Sequence, residues 1–347
     1  MGAIYRDPDT GQSVATHSML KTFRRCPKQF EYKYIMRLQP KMTAKPLRRG
    51  TWIHKLLEVH YKGGDWRAEH QRLSAEFNRL FDEEKDELGN LPVEIKHIME
   101  SYFWHYAQHD WKVHEVEFTL ECELPDGTLY RCKIDLLVED QYGLWIVDHK
   151  SHARLPDLSY RILDAQSGLY IWNALKNKIP VQGHIWNYVR WKMPTVPHLN
   201  KDGTLSRRSI ETDYLTFGRA LKRYGTPLSD HQRTLKMLKG RQYRHGEPQT
   251  SPFFRRDVLE KSNDMVRRIA QEGYHSARRM IDYPWDRRDA IERVPDRSCS
   301  FACSFTDLCS LELFGGNIQP LLKRFKVGDP LDYYQDDRGE FDNRGSE

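Results

Sequence analysis

Asp135, Asp148 and Lys150 fall in stretches where hydrophobicity alternates with a period of two. Over residues 128–139 one parity carries Tyr130, Cys132, Ile134, Leu136 and Val138, and the other Arg131, Lys133, Asp135 and Leu137. Over 143–150, Leu144, Ile146, Asp148 and Lys150 share a face, so the last two project the same way, about 6 to 7 Å apart along a strand. If the two strands are neighbours in a meander, Asp135 and Asp148 converge. Paired acids in an apolar strand context are costly unless they meet a cation. Carboxylate oxygens suit a hard divalent ion such as Mg2+ or Mn2+. A lysine beside that ion can hold an attacking water and offset charge on a pentavalent phosphate. The layout is that of phosphodiester hydrolysis; the bland alternative is a strand-end ion pair and a surface acid.

A second group is made of thiols. Cys299, Cys303 and Cys309 fall within eleven residues, and Cys26 lies far upstream beside Pro27. Six cysteines in 347 residues are too sparse for a disulfide scaffold. Four thiolates suit tetrahedral zinc or an iron–sulfur cluster, and spacing alone leaves both open. Cys122 and Cys132 alternate into the sheet and read as small core residues.

The elements that must position these groups are legible from period and punctuation. Ser18 is a candidate cap for helical spacing over 20–35, interrupted by Pro27. Gly50 opens a helix over 51–61 that Gly63 and Gly64 stop. Residues 66–88 and 92–110 read as a helical insert. The period then changes from 3.6 to 2, and 113–123, 128–139 and 143–150 form three antiparallel strands joined by turn residues. A helix over 158–175 and a strand over 182–191 follow, which permits a parallel crossover. The expected division is 1–61 N-terminal helical segment, 62–112 insert, 113–192 catalytic core, 193–290 basic helical region, 291–326 cysteine segment and 327–347 acidic tail, expected to be disordered.

Formal net charge is +6, but 201–256 alone carries thirteen Lys or Arg against five acids. With Trp191, Tyr214, Phe217, Tyr224 and Tyr243 among those cations, the segment suits a phosphate-lined channel with stacking rings; a solvated helical surface is the alternative. With 30% charged residues and no run of about 18 apolar ones, a membrane span is excluded, and the start lacks a signal-peptide pattern. The expectation is a cytoplasmic protein, in the host cytoplasm if phage-encoded.

Lys133-Ile134-Asp135, then Ile146-Val147-Asp148-His149-Lys150, then Gln166-Ser167-Gly168-Leu169-Tyr170 resembles the successive motifs of the RecB-like PD-(D/E)XK nucleases. Gly50-Thr51-Trp52-Ile53-His54 resembles that family's helix-borne histidine motif, and 18–34 its N-terminal stretch. The resemblance implies an α/β, restriction-endonuclease-like core: a central mixed sheet flanked by helices. It also implies His54, Asp135 and Asp148 as ligands of Mg2+ or Mn2+, Lys150 as the catalytic lysine, and Gln166 and Tyr170 as DNA-positioning residues. Glu117, on a strand face shared with Glu115 and Glu121, is a further acidic candidate. Lys133 stands where relatives often have glycine, and could contact substrate phosphate. Asp148 stands where many nucleases have glutamate.

One cysteine before the core and three after it resembles the split arrangement of the family's iron–sulfur branch, the AddB-type subunits and CRISPR-associated exonucleases. By that resemblance Cys26, Cys299, Cys303 and Cys309 would hold a [4Fe-4S] cluster clamping the ends of the chain, with zinc as the alternative. The first C-terminal interval is one residue longer than usual. The implied activity is a metal-dependent DNA exonuclease preferring single strands or ends, in recombination, repair or DNA processing. A structure-specific endonuclease and a non-catalytic nucleic-acid scaffold compete with it. No Gly-rich phosphate loop is present, so any helicase or recombinase would be a separate partner.

Overall fold

The computed structural model describes residues 6–334 apart from 8, 42–43, 108–110, 158, 207, 209, 241–242, 245–246 and 249–250. In chain order, β1 (Val14–Thr16), α1 (His17–Arg25), α2 (Pro27–Phe30), a π-helical turn (Glu31–Ile35) and β2 (Leu38–Pro40) precede α3 (Lys45–Tyr61). Helices α4 (Trp66–Asn78), α5 (Asp82–Leu88) and α6 (Leu91–His105) lead into β3 (Lys112–Glu123), β4 (Leu129–Asp140) and β5 (Gly143–His152). Then come α7 (Ala165–Lys176), β6 (Val181–Arg190), α8 (Tyr214–Arg223), α9 (Gln232–Gly240), the short pair β7 (Tyr243–Arg244) and β8 (Glu247–Pro248), and β9 (Phe254–Leu259). The last elements are α10 (Asn263–Ile281), α11 (Thr306–Leu313), α12 (Gln319–Leu322) and β10 (Phe325–Val327).

The main sheet has six strands in the order β1-β4-β5-β6-β9, with β3 on the other side of β4. β3, β4 and β5 are the expected antiparallel meander, and β6 runs parallel to β5 after the α7 crossover. Both faces are covered, which is why β4 is buried along ten of its twelve residues. Helices α1, α7 and α10 share a core with one face, while α3, α4 and α6 form another with Val189 and Phe254. The mixed α/β fold with a central sheet between helices is the one the sequence leads us to expect.

One edge of β4 explains where chemistry can happen. Its upper half pairs with β5 as far as Leu136 opposite Val147, and its lower half pairs with β1, where Thr16 lies opposite Arg131. Between them, over 132–135, no described strand occupies that edge. The gap is walled by the start of α1, which follows β1 directly.

Several expectations need correction. α1 is capped by Thr16, whose hydroxyl accepts from the Met19 backbone N–H, and not by Ser18. α3 begins at Lys45, so Gly50 lies within it; a Cβ there would sit 3.2 Å from Ser151 Oγ, so glycine lets the helix lie close to β5. α7 begins only at Ala165, behind its Asp164 cap. The region 193–290 is not simply a basic helical layer: β9 completes the main sheet and α10 packs on α7. The start of the tail expected from 327 onward is ordered, since Leu331 and Tyr334 are buried in the main core. Residues 335–347 lie outside the described residues.

Candidate active site

Beyond Leu136 and Val147 the next ladder pair would be Asp135 and Asp148, but there the strands part. Asp135 Oδ2 takes the place of a strand partner by accepting from the His149 backbone N–H at 2.7 Å. His54, on α3, brings its Nδ1 to 3.5 Å from the same oxygen. Glu117 reaches this point from β3: its neighbours Val116 and Phe118 pair with Leu136 and Ile134, which sets it beside Asp135. It adopts a left-handed backbone with φ 55°, a conformation that costs a non-glycine residue about 1–3 kcal/mol. The ligand atoms of His54, Glu117 and Asp135 all lie within 4.8 Å of one another. Glu115 and Glu121, on the same sequence parity, are respectively exposed and half-buried.

Asp148 stands next to this trio with a different set of partners. Its Oδ1 accepts from Gln166 Nε2 at 2.6 Å, and its Oδ2 lies 2.5 Å from Lys150 Nζ. Lys133 Nζ lies 3.6 Å from Glu117 Oε2. Glu117, Asp135 and Asp148 are only 5%, 6% and 3% exposed. Burial, and then the negative charge of Asp148, push the Asp135 carboxyl up to about 8. Burial, with Lys150 adding to it, pulls the His54 imidazole below its ordinary value and so favours the neutral form, which has a lone pair to offer. A neutral imidazole and crowded, desolvated carboxylates are a donor set that fits a hard divalent cation.

The site opens into a cleft of about 400 Å³. Asp135, Asp148, Lys150 and Gln166 line one side, and His17, Lys21, Lys33 and Tyr34 from the N-terminal elements line another. On the far side of His54 and Glu117 lies a larger hollow of about 680 Å³, bordered by Lys55, Ser151 and Trp191. Gln166 and Tyr170 share a face of α7. Between them Gly168 admits α10: a Cβ there would fall 2.6 Å from Ile269 Cδ1.

Sequence reasoning missed the support behind the trio. His149, Asn187 and Arg256 stand in register across β5, β6 and β9. Asn187 Nδ2 is 2.7 Å from His149 Nδ1 and donates to Tyr102 Oη at 2.8 Å. Arg256 donates to the hydroxyls of Tyr61 and Tyr102 and lies between the rings of Tyr106 and Trp111, at 3.6 and 3.7 Å. The His149 ring meets His54 edge-on at 5.9 Å. Asn187 lies in an alternating strand with nothing to mark it, so no sequence signal pointed to it.

Among the described residues, aromatic rings of the basic segment take part in local packing. Phe217 is buried with Leu205, Leu221 and Leu238, with Tyr224 against them. Tyr214 stacks on Trp104 at 4.8 Å, and Trp191 lies under Arg49. The rings serve as the core of a small satellite layer because α8 and α9 are too short to stay folded without one. The Tyr243 side chain lies outside the described residues.

Cys26, Cys299, Cys303 and Cys309 border one cavity of about 330 Å³, together with Tyr32 and Arg293. Burial pushes the Cys309 thiol up, and the Arg293 guanidinium donates to its sulfur. Around the cavity the chain's two ends are already joined. Lys28 Nζ lies 2.6 Å from Glu31 and 2.7 Å from Glu312, Arg288 bridges the same two acids, and β10 pairs with β2. Cys122 and Cys132 stay with the sheet core, where burial raises both thiols.

Comparison with known proteins gives one extensive match: residues 14–310 fit the family model of the PD-(D/E)XK nuclease superfamily. No curated protein matches the chain. Among solved structures, a candidate exonuclease from Eubacterium rectale is 13% identical, with a TM-score of 0.34 over 73% of this chain and 86% of that one. The protein SSO0001 is 11% identical, with a TM-score of 0.31 over 85% of each chain. Among the described residues no helix is long and apolar enough to cross a membrane.

Proposed function

This chain belongs to the PD-(D/E)XK nuclease superfamily, and on that premise we propose that it is a metal-dependent DNA exonuclease acting on single strands or ends in recombination, repair or DNA processing. The observation that carries the reading is the meeting of His54, Glu117 and Asp135 within 4.8 Å, beside the Asp148 and Lys150 pair. In this reading His54, Glu117 and Asp135 would hold Mg2+ or Mn2+, with the Asp148 carboxylate beside them as a further ligand. The ion supplies Lewis-acid polarisation of the phosphate and a more acidic water. Lys150 faces the scissile phosphate and offsets its growing negative charge. Gln166 fixes the Asp148 carboxylate so that one oxygen stays turned to Lys150. Tyr170 and Lys133 border the strand's path.

The four cysteines are assigned to an iron–sulfur cluster of the AddB and CRISPR-associated exonuclease type. The support is that all four border one cavity and that a guanidinium serves one sulfur, as hydrogen bonds to cluster sulfurs do. Anaerobic purification followed by metal analysis tests it: about four irons and four acid-labile sulfides per chain are expected, and one zinc without iron would replace the cluster by a tetrahedral zinc site.

Activity is tested on end-labelled linear strands, duplexes and covalently closed circular single strands, with Mg2+ or Mn2+ or with chelator. Mononucleotides or short products from linear DNA, and an intact circle, are expected. Circular DNA cut as fast as linear DNA would make the enzyme an endonuclease.

A further inference from the structure

The cleft contains a cation that the catalytic constellation does not use. Lys150 is paired with Asp148 and Lys133 with Glu117. Lys28, one turn from the cleft, sits between two carboxylates. Lys33 differs: it borders the cleft, is partly buried, and among the described residues has no carboxylate within ion-pair distance. Its Nζ lies over the ring of Tyr34, 5.0 Å from the centroid. Burial draws its pKa down, and among the described residues no carboxylate offsets that.

The backbone explains why Lys33 is held there. It lies in the π-helical turn Glu31–Ile35, closed by the Met36 N–H donating to Glu31 O. Such turns send successive side chains in directions a regular α-helix does not, and they recur at functional sites. On one side, Glu31 and Tyr32 are tied to the C-terminal segment: Tyr32 donates to Glu312 at 2.7 Å, and Arg288 to Glu31 at 2.8 Å. On the other side, Lys33 and Tyr34 enter the catalytic cleft. Lys21, one α1 turn inside the same wall, is exposed at the rim, and among the described residues it too has no carboxylate partner. His17 between them is kept neutral by burial and adds a donor without charge.

We propose that Lys33, with Lys21 at the rim, forms a phosphate subsite on the N-terminal wall of the cleft, taking a phosphate of the bound DNA strand other than the one cleaved. The proposal rests on the nuclease reading. A strand drawn through the cleft has its scissile phosphate at Asp135, Asp148 and Lys150, and its neighbouring backbone crosses toward α1 and the π-turn. The missing counter-charge of Lys33 is then the phosphodiester itself, and the subsite sets how the strand is registered against the metal site.

The test is binding of a labelled single-stranded oligonucleotide to the whole chain as purified, in chelator, read by fluorescence anisotropy over a salt series. Lys33→Gln is compared with wild type and with Lys33→Arg. Loss of one phosphate contact to a single strand makes the log-affinity against log-salt slope shallower by about 0.7, and weakens binding about fivefold at 0.1 M salt. The expected result is that change for Lys33→Gln, near-complete rescue in Lys33→Arg, and, with metal added, a raised KM at nearly unchanged kcat. An unchanged slope in Lys33→Gln overturns the proposal, and so does an equal loss in Lys33→Arg. If the wild type binds no DNA, it is the nuclease reading that fails. Repeating the series with 5′-phosphate and 5′-hydroxyl strands separates the two sources of phosphate. A slope difference on both means an internal phosphodiester; one confined to the phosphorylated strand means a terminal monophosphate.

Discussion

Divalent-cation binding is expected to release one proton, and the site's electrostatics set the pH range. In the metal-free protein Asp135 is desolvated beside Asp148, and its carboxyl titrates at about 8, far above the ordinary 3.8. Burial pulls His54 below its usual range, which lessens proton competition from the imidazole near neutrality. Between about pH 6 and 8 the ion must therefore displace one proton, and apparent affinity rises about tenfold per pH unit, roughly 1.4 kcal/mol each. From pH 6 to 8 the gain is about fiftyfold, or roughly 2.3 kcal/mol, because the slope already flattens as the carboxyl reaches half-ionisation, and it levels off above pH 8. The sign for the metal-free fold is opposite. A carboxyl whose folded pKa is raised contributes stability that is fully present below about pH 4 and is lost as pH rises through about 8, so bound metal matters most for stability at alkaline pH. Titration calorimetry with Mn2+ in two buffers of different ionisation enthalpy reads both affinity and proton count. Asp148→Asn removes the neighbouring charge and moves the proton-release range to lower pH. Affinity that is flat between pH 6 and 8, with no proton released, would refute the reasoning.

Lys150→Met should lower kcat by about 10²- to 10³-fold while leaving Mn2+ affinity within a few-fold, because the ammonium serves the phosphate and not the ion; single-turnover cleavage with calorimetry separates the two. Arg131→Met should destabilise the fold by about 3–5 kcal/mol in denaturant unfolding. Arg131 is fully buried and joins Asp7 at 2.6 Å to Glu121, so its loss strands the Asp7 carboxylate. Burial pushes the Asp7 carboxyl up, but Arg131 and the Thr10 and Asp9 N–H groups outweigh it and hold it at about 2. That contribution is present above the ordinary carboxylate range and is lost as pH falls through about 2. Asn187→Ala should cost about 1–3 kcal/mol by leaving the buried His149 Nδ1 unpaired, read as a lower midpoint in thermal unfolding.

The meander was legible because β3, β4 and β5 keep a period of two over long runs and are joined by turn residues. β1 and β9 were not. β1 is three residues long and pairs with β4 more than a hundred positions away, and Phe254–Leu259 carries Arg255, Arg256 and Asp257 within an edge strand. For the site, period alone put Asp148 and Lys150 on one face and left Asp135 to meet them if the strands were neighbours. The sequence could not reveal that β4 and β5 part at that pair, nor that a left-handed residue in β3 swings Glu117 beneath His54. Both are consequences of long-range register, which no local pattern carries. Composition likewise cannot tell an aromatic on a surface from one filling a small core, as Phe217 does.

The most direct measurement is cleavage of an end-labelled single strand by Asp135→Asn, in parallel with wild type, under saturating Mn2+ at about pH 8. Our account predicts a rate at least about 10³-fold below wild type for a variant that folds and still binds DNA. Wild-type turnover in that variant, or undiminished cleavage by the unmodified protein in chelator, would contradict it.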